Sequence, residues 1–389
     1  MSIGFDVRQK EIYLDNAATT VIDDDVVAAM QPYLEERYGN PETPYHLGRE
    51  AKDGIEKARE QIAELLGCKP EEIFFTSCGT ESNNWAIKGL ELFGKSRMAI
   101  SSVEHRSVLE PARWLLKKNL VSELSEIPVG ADGRVCLDIL ESYLKTSAVG
   151  LVSVQYANNE VGTIQPVEEI GKLCETYDAV FHCDAVQAFG KLEIGIENTH
   201  IDMASLSAHK IHGPMGVGAL YVRSGTHLEP LFHGGGHESG MRSGTHAVPQ
   251  IVGFGKAAEV AWSKMRTEKT RQSRMVDFLA GELSLKVGAV RNGDAKNRLP
   301  NILNITIPKI DASLVGGILN KKGICVSMGS ACRTNERKSH VLMAMGKSEM
   351  DCSSTLRISL SRYTTDKDLS LLIAYIQSAL VEAKNRTLL

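Results

Sequence analysis

The chain has 389 residues, 43% of them hydrophobic and 24% charged, with a formal net charge of −4. That length accommodates two domains, or one large α/β unit with an appendage. The near-neutral charge gives no general attraction to nucleic acid or to an anionic membrane. No apolar run reaches bilayer length, and the first residues lack a basic stretch followed by an apolar core, so a cytoplasmic protein is expected. Eight cysteines, at 68, 78, 136, 174, 183, 325, 332 and 352, include no CxxC pair. Their spacing suggests neither a disulfide framework nor a zinc centre, and no metal is expected.

In chain order, residues 49–67 read as an amphipathic helix, with Ile55, Ala58, Ile62, Leu65 and Leu66 on one face and Gly67 as its stop. Residues 73–76 read as a short buried strand running into Ser77-Cys78-Gly79-Thr80-Glu81, followed by a helical pattern over 82–93. Strands are predicted over 98–103, 149–156, 180–184 and 218–222, and a helix over 166–177 with Pro166 suited to its first turn. Strands separated by helices of this length predict an α/β fold whose mainly parallel sheet is covered on both faces. Ligands then collect at the carboxyl ends of the strands, where Thr80, Asn159, Asp184 and Lys210 fall. Beyond about residue 260 the pattern changes: polar helical stretches over 257–285 and 366–386 flank strands over 302–307 and 356–360. The expected organisation is a large domain over 15–260 and a smaller α+β domain formed by 1–14 with 261–389.

Two short runs carry chemistry. His182-Cys183-Asp184-Ala185-Val186-Gln187 puts an acid at the end of an apolar segment. Ser207-Ala208-His209-Lys210 puts a lysine just before the glycine-rich Gly213-Pro214-Met215-Gly216-Val217-Gly218. Pyridoxal phosphate requires such a set: an amine for covalent attachment, a carboxylate for the pyridinium nitrogen, and hydroxyl or backbone donors for the phosphate. Gly79 and Thr80, where a strand meets a helix, suit that phosphate, and Ser207 and His209 add donors. His105 follows a strand, at a position from which its ring can lie over an aromatic cofactor and relay protons. In Asn158-Asn159-Glu160 an amide can hold a ring hydroxyl or a substrate carboxylate, or can close an Asx turn. Gln187, three residues beyond Asp184, can reach the same ring oxygen.

The segment from His233 to Thr245 is the most glycine-dense of the chain. Its histidines at 233 and 237 are separated by three glycines, which argues against a helix that would align them on a metal. An anion loop ending in Thr245 is the expected use. Cys332 precedes seven polar residues, and Arg333, Arg337 and Lys338 favour its thiolate, so it is expected to be a nucleophile on an exposed arm. Arg357 places a guanidinium in an otherwise apolar strand, either as a bidentate clamp on a substrate carboxylate or as an internal salt bridge.

Taken together these segments resemble the NifS/IscS-type cysteine desulfurases, pyridoxal-phosphate enzymes of fold type I in aminotransferase class V. The resemblance runs from Ile12-Tyr-Leu-Asp-Asn-Ala-Ala-Thr-Thr20 to the Arg-Tyr-Thr-Thr run at 362–365. It includes Tyr38-Gly-Asn-Pro41, the Thr80-Glu-Ser-Asn stretch and Gly329-Ser-Ala-Cys332. It implies a large domain with a seven-stranded-type sheet and a smaller α+β domain. It also implies a Schiff base on Lys210, Asp184 at the pyridine nitrogen, Gln187 at the ring hydroxyl and His105 stacked on the ring. Gly79, Thr80, Ser207 and His209 would hold the phosphate, with Thr245 supplied by the neighbouring subunit of a homodimer. Asn159 and Arg357 would orient L-cysteine, Cys332 would attack its sulfur, and a scaffold or thiolation protein would accept the persulfide. No nucleic acid or membrane partner is implied. The chain departs from the usual pattern at Cys78, at Arg333 and in a shorter loop beyond Cys332. A selenocysteine lyase, an aminotransferase of the same class and a poorly active sulfur-carrier scaffold are the alternative functions.

Overall fold

The structure is a computed structural model that describes residues 11–90, 96–146, 148–328 and 338–387. Seven strands form one sheet in the order Ile73–Thr76, Gly218–Val222, Met203–Ser207, Val180–Asp184, Val149–Ser153, Arg97–Ser101 and Glu123–Ile127. Gly218–Val222 runs antiparallel to both of its neighbours, and the other pairings are parallel. Every other strand therefore ends at one common edge.

Alternation along the strands divides the apolar side chains between two helical layers. Phe181, Cys183, Ala204, Leu206, Ala219 and Tyr221 pack on one side, with the helices His46–Leu66 and Val167–Thr176. Met98, Ile100, Met203, Leu220 and Val222 pack on the other, with Gly79–Gly89 and Arg106–Lys117. A second unit is built on an antiparallel sheet ordered Ser327–Met328, Thr355–Ser359, Ile302–Thr306 and Val290–Arg291. The helices Ala312–Lys321 and Asp366–Thr387 cover it.

One helix of 40 residues, Val248–Val287, serves both units. Its first half places Ile251, Phe254, Ala257, Ala258 and Ala261 in the large core, and its second half places Met275, Val276, Leu279 and Leu283 in the smaller one. The expected boundary at 260/261 falls inside this helix. The helix expected over 82–93 starts earlier, at Gly79, and ends at Gly89. A side chain at Gly89 would meet Glu229 O at 2.7 Å, so the chain leaves the helix where it crosses another segment. The strand expected over 149–156 ends at Ser153, yet Val154 N–H and Tyr156 N–H still donate to His182 O and Asp184 O at 3.1 and 3.0 Å. Glu123–Ile127 and Met203–Ser207 are strands that the apolar pattern does not announce. The first is a half-polar edge strand, and the second is rich in small and hydroxyl residues. Among the described residues no helix is long and apolar enough to cross a membrane.

The helices His46–Leu66 and Val248–Val287 cross where Gly255 faces Ala58: a Cβ on Gly255 would lie 2.5 Å from the Ala58 Cα. Gly255→Ala should therefore lower stability by about 1–3 kcal/mol through forced separation of the helices. Gly281→Ala, on the same helix with nothing within 4 Å of the added methyl, should raise it by up to about 1 kcal/mol. Denaturant midpoints of the two variants should move in opposite directions.

Candidate active site

The strand ends open into a cleft of about 240 Å³ lined by Gly79, Thr80, Asn83, His105, Asn159, Asp184, Gln187, Ser207, His209 and Lys210, among others. Ten side chains or backbone positions from five separate segments thus meet here, including every cofactor-binding residue read from the sequence except Thr245. Thr245 is exposed and does not line the cleft. Cys332 lies outside the described residues.

Asp184 closes its strand as a buried carboxylate. Its Oδ1 accepts from Val186 N–H at 3.0 Å and its Oδ2 from Asn83 Nδ2 at 2.8 Å. The same Asn83 amide donates to Ser107 Oγ at 2.8 Å. The Ser107 N–H donates to His105 Nδ1 at 3.2 Å, so the Ser107 hydroxyl, 2.7 Å from the same nitrogen, is a donor to it as well. Nδ1 is therefore an acceptor, and the neutral ring carries its proton on Nε2. Burial lowers the His105 pKa, and the Lys210 charge adds to this against the opposing pull of Asp184. The imidazole is held neutral and fixed in tautomer by a chain that starts at the acid.

Lys210 ends the short turn after Met203–Ser207. Its ammonium donates to the carbonyls of Ala17 and Ala18 at 2.7 and 2.6 Å. Burial, then the Arg357 charge, push its pKa down to about 8, so an amine here loses its proton far more readily than an exposed lysine. Neighbouring His209 is brought down to about 4 by burial and by Lys210, which leaves it a neutral donor or acceptor. Its Nδ1 meets Thr19 Oγ1 at 3.1 Å. Gln187 is anchored through Nε2 to Ala17 O at 2.9 Å and through Oε1 to Lys191 at 3.2 Å.

The two asparagines after Val149–Ser153 divide the readings offered by the sequence. Asn158 closes the turn: its Oδ1 accepts from Glu160 N–H and Val161 N–H at 2.8 and 2.9 Å. Asn159 lines the cleft. Its carbonyl accepts from Arg357 Nη1 at 2.9 Å, while Arg357 Nη2 pairs with Asp15 Oδ1 at 2.7 Å. Arg357 thus makes the internal salt bridge, and its buried Nε has no partner among the described residues.

The residues fit pyridoxal phosphate. Ser207 Oγ is buried in the cleft with no hydrogen-bond partner among the described residues. Cys78 gives the helix Gly79–Gly89 no side-chain cap, which leaves first-turn N–H groups for an anion. Gly79 is required sterically as well, since a Cβ there would lie 2.8 Å from Val186 Cγ2. The acid, the amine and these open donors form the set the cofactor needs. Asn83, Ser107 and Asp15 escape single-residue reading. Asn83 stands in the Thr80-Glu-Ser-Asn stretch, but its partner Asp184 lies 101 residues away.

Residues 12–372 match the family described as aminotransferase class-V. The chain is 42% identical over 367 residues to cysteine desulfurase IscS of Dictyoglomus turgidum, covering 93% of this chain and 92% of that protein. Among solved structures it is similar to a NifS-like protein, with TM-score 0.89, 39% identity and 95% and 99% of the two chains covered. It is also similar to a structure described as SspA in complex with cysteine, with TM-score 0.79, 36% identity and 91% and 100% covered. The chain belongs to the aminotransferase class V family, among the IscS- and NifS-type cysteine desulfurases.

Proposed function

We propose that this chain is a pyridoxal-phosphate-dependent cysteine desulfurase that converts L-cysteine to L-alanine and keeps the sulfur as a persulfide on Cys332. The observation that carries this reading is the gathering of Lys210, Asp184, His105 and Asn159 around one cleft, in a chain whose relatives bear that name. The similar SspA structure is described as holding cysteine, which supports L-cysteine as substrate. When bound, the cofactor withdraws electrons from the substrate's Cα through its ring.

The chain's own residues do the rest. Lys210 would hold the cofactor, and its free amine would take the Cα proton of the substrate as general base. Asp184 keeps a positive charge on the pyridine nitrogen, and Asn83 fixes the carboxylate that does so. His105 presents Nε2–H to the cleft for proton relay, Ser207, His209 and Thr80 hold the phosphate, and Gln187 the ring hydroxyl. Asn159 and the Nε–H of Arg357, unpaired among the described residues, would receive the substrate carboxylate. The Cys332 thiolate attacks the substrate sulfur. An S–S bond forms as the C–S bond breaks, the electron pair stays on carbon, and protonation there gives alanine. Sulfur leaves in the zero-valent state as the carbon is reduced, so no outside oxidant or reductant enters. The exposed Thr245, absent from its own chain's cleft, suits delivery to the neighbouring subunit of a homodimer. A protein acceptor, such as an iron–sulfur scaffold or a thiolation protein, then takes the persulfide.

Cys332→Ala should keep the yellow colour of the bound cofactor and abolish the persulfide seen by mass spectrometry after incubation with cysteine. Persulfide-free desulfuration by that variant in a single turnover would refute the assignment. Lys210→Ala should lose about 10²–10⁴-fold or more in alanine formation. Alanine with sulfide is the product set expected from cysteine, and exchange of the amino group in its place would mark an aminotransferase. The pKa of Lys210, lowered to about 8, gives a further test. The neutral amine is the nucleophile, so covalent uptake of pyridoxal phosphate by the apoprotein should accelerate as pH rises and level off above about 8. Arg357→Leu removes a charge that depresses this pKa, and its profile should move to higher pH.

A further inference from the structure

Glu42, His237 and His246 lie outside the cleft, on two segments far apart in sequence, and each offers a ligand atom within 4.8 Å of the others. The His237 and His246 rings stand 5.4 Å apart between centroids. His246 is held from behind: its side chain is only 9% exposed, and its Nε2 lies 2.7 Å from Glu238 Oε1. Arg59 holds both oxygens of Glu238, at 2.8 and 2.9 Å, and Phe75 N–H donates to one of them at 2.8 Å. A carboxylate so gripped is ionised and can only accept, so His246 carries a hydrogen on Nε2, and the tautomer this selects for the neutral ring has its lone pair on Nδ1. That Nδ1 is buried and has no partner among the described residues. A buried acceptor without a donor is costly. His237 has one long contact, from Gly244 N–H to Nδ1 at 3.3 Å, and Glu42 is exposed.

We infer that Glu42, His237 and His246 form a binding site for a divalent transition-metal ion of the zinc class. Two imidazoles and one carboxylate are a ligand set that suits zinc and disfavours magnesium or calcium, which take oxygen ligands. Glu238 stands behind His246 as the carboxylate that fixes the tautomer and orientation of a metal-bound histidine, and Arg59 in turn fixes Glu238. Ligands around a tetrahedral ion at ~2.1 Å sit on the order of 3.4 Å apart. With ligand atoms within 4.8 Å of one another, the cluster needs to close by up to about 1.4 Å, through movement of the exposed Glu42 and the partly exposed His237 side chains. Three protein ligands leave a fourth position for water or a small donor. The site takes a histidine that the sequence analysis set aside: His237 pairs with His246, across a turn, and not with His233 along a helix. The positive φ angles of Gly236, Glu238, Ser239, Gly240 and Gly244 build that turn.

An ion here would tie the segment that precedes the helix His46–Leu66 to the glycine-rich run, one residue beyond Thr245. Binding itself does not depend on the function proposed above. The test is titration of the holoenzyme with zinc chloride by calorimetry, in a Cys332→Ser background so that the reactive thiolate does not compete. One zinc per chain is expected, with the affinity falling at least ~10-fold in each of His237→Ala and His246→Ala. Glu42→Gln alters an exposed side chain and leaves the core intact. It should weaken zinc as well and change the ligand-field spectrum of the cobalt(II)-substituted protein. Affinity unchanged in Glu42→Gln and His246→Ala, or no zinc bound by the parent protein at millimolar metal, would overturn the assignment.

Discussion

The site depends on one immobilised carboxylate. Asp184 sits at the end of a buried strand with a backbone N–H on one oxygen and the Asn83 amide on the other. Charge buried without such donors is expelled or neutralised. Here the donors keep the acid in place, and they also pass its orientation outward. The second hydrogen of the Asn83 amide sets the Ser107 hydroxyl, which sets the His105 ring. Two residues 79 positions apart in sequence, an acid and an imidazole, thereby take their relative placement from a single amide on a third segment. In a low-dielectric pocket such chains are stiff because each member would be expensive to leave unpaired.

Topology explains why these groups meet at all. Parallel strands joined by crossover helices all turn over at the same edge, so loops distant in sequence share one rim. The smaller unit reaches that rim through Arg357, which bonds Asn159 O and Asp15 and whose charge bears on Lys210. A residue of the second sheet thus tunes an amine of the first.

Much of this is legible in the amino-acid sequence. Asp184 stands at the end of an apolar run, Lys210 stands just before a glycine-rich stretch, and Thr80 opens a helix, so local pattern places them on the rim. The aspects that escaped detection are those in which partners are remote or the chemistry of a segment is bland. Met203–Ser207 offers only two large apolar residues, Met203 and Leu206, yet all five of its residues are buried. Arg357 and Asp15 are 342 residues apart, and no periodicity reports such a pair. The dual use of Asn158 and Asn159 was visible as two competing possibilities, and only their separate hydrogen bonds allot one to each.

The helix Val248–Val287 has a mechanical consequence. Forty residues at 1.5 Å each make a rod of about 60 Å, with one end embedded in each hydrophobic core. Neither core is complete without its half of the rod. Melting either one strips the other of part of its own interior, so the polypeptide is wired to lose both together in one cooperative step, and a fragment cut at mid-rod would carry a raw apolar face into solvent.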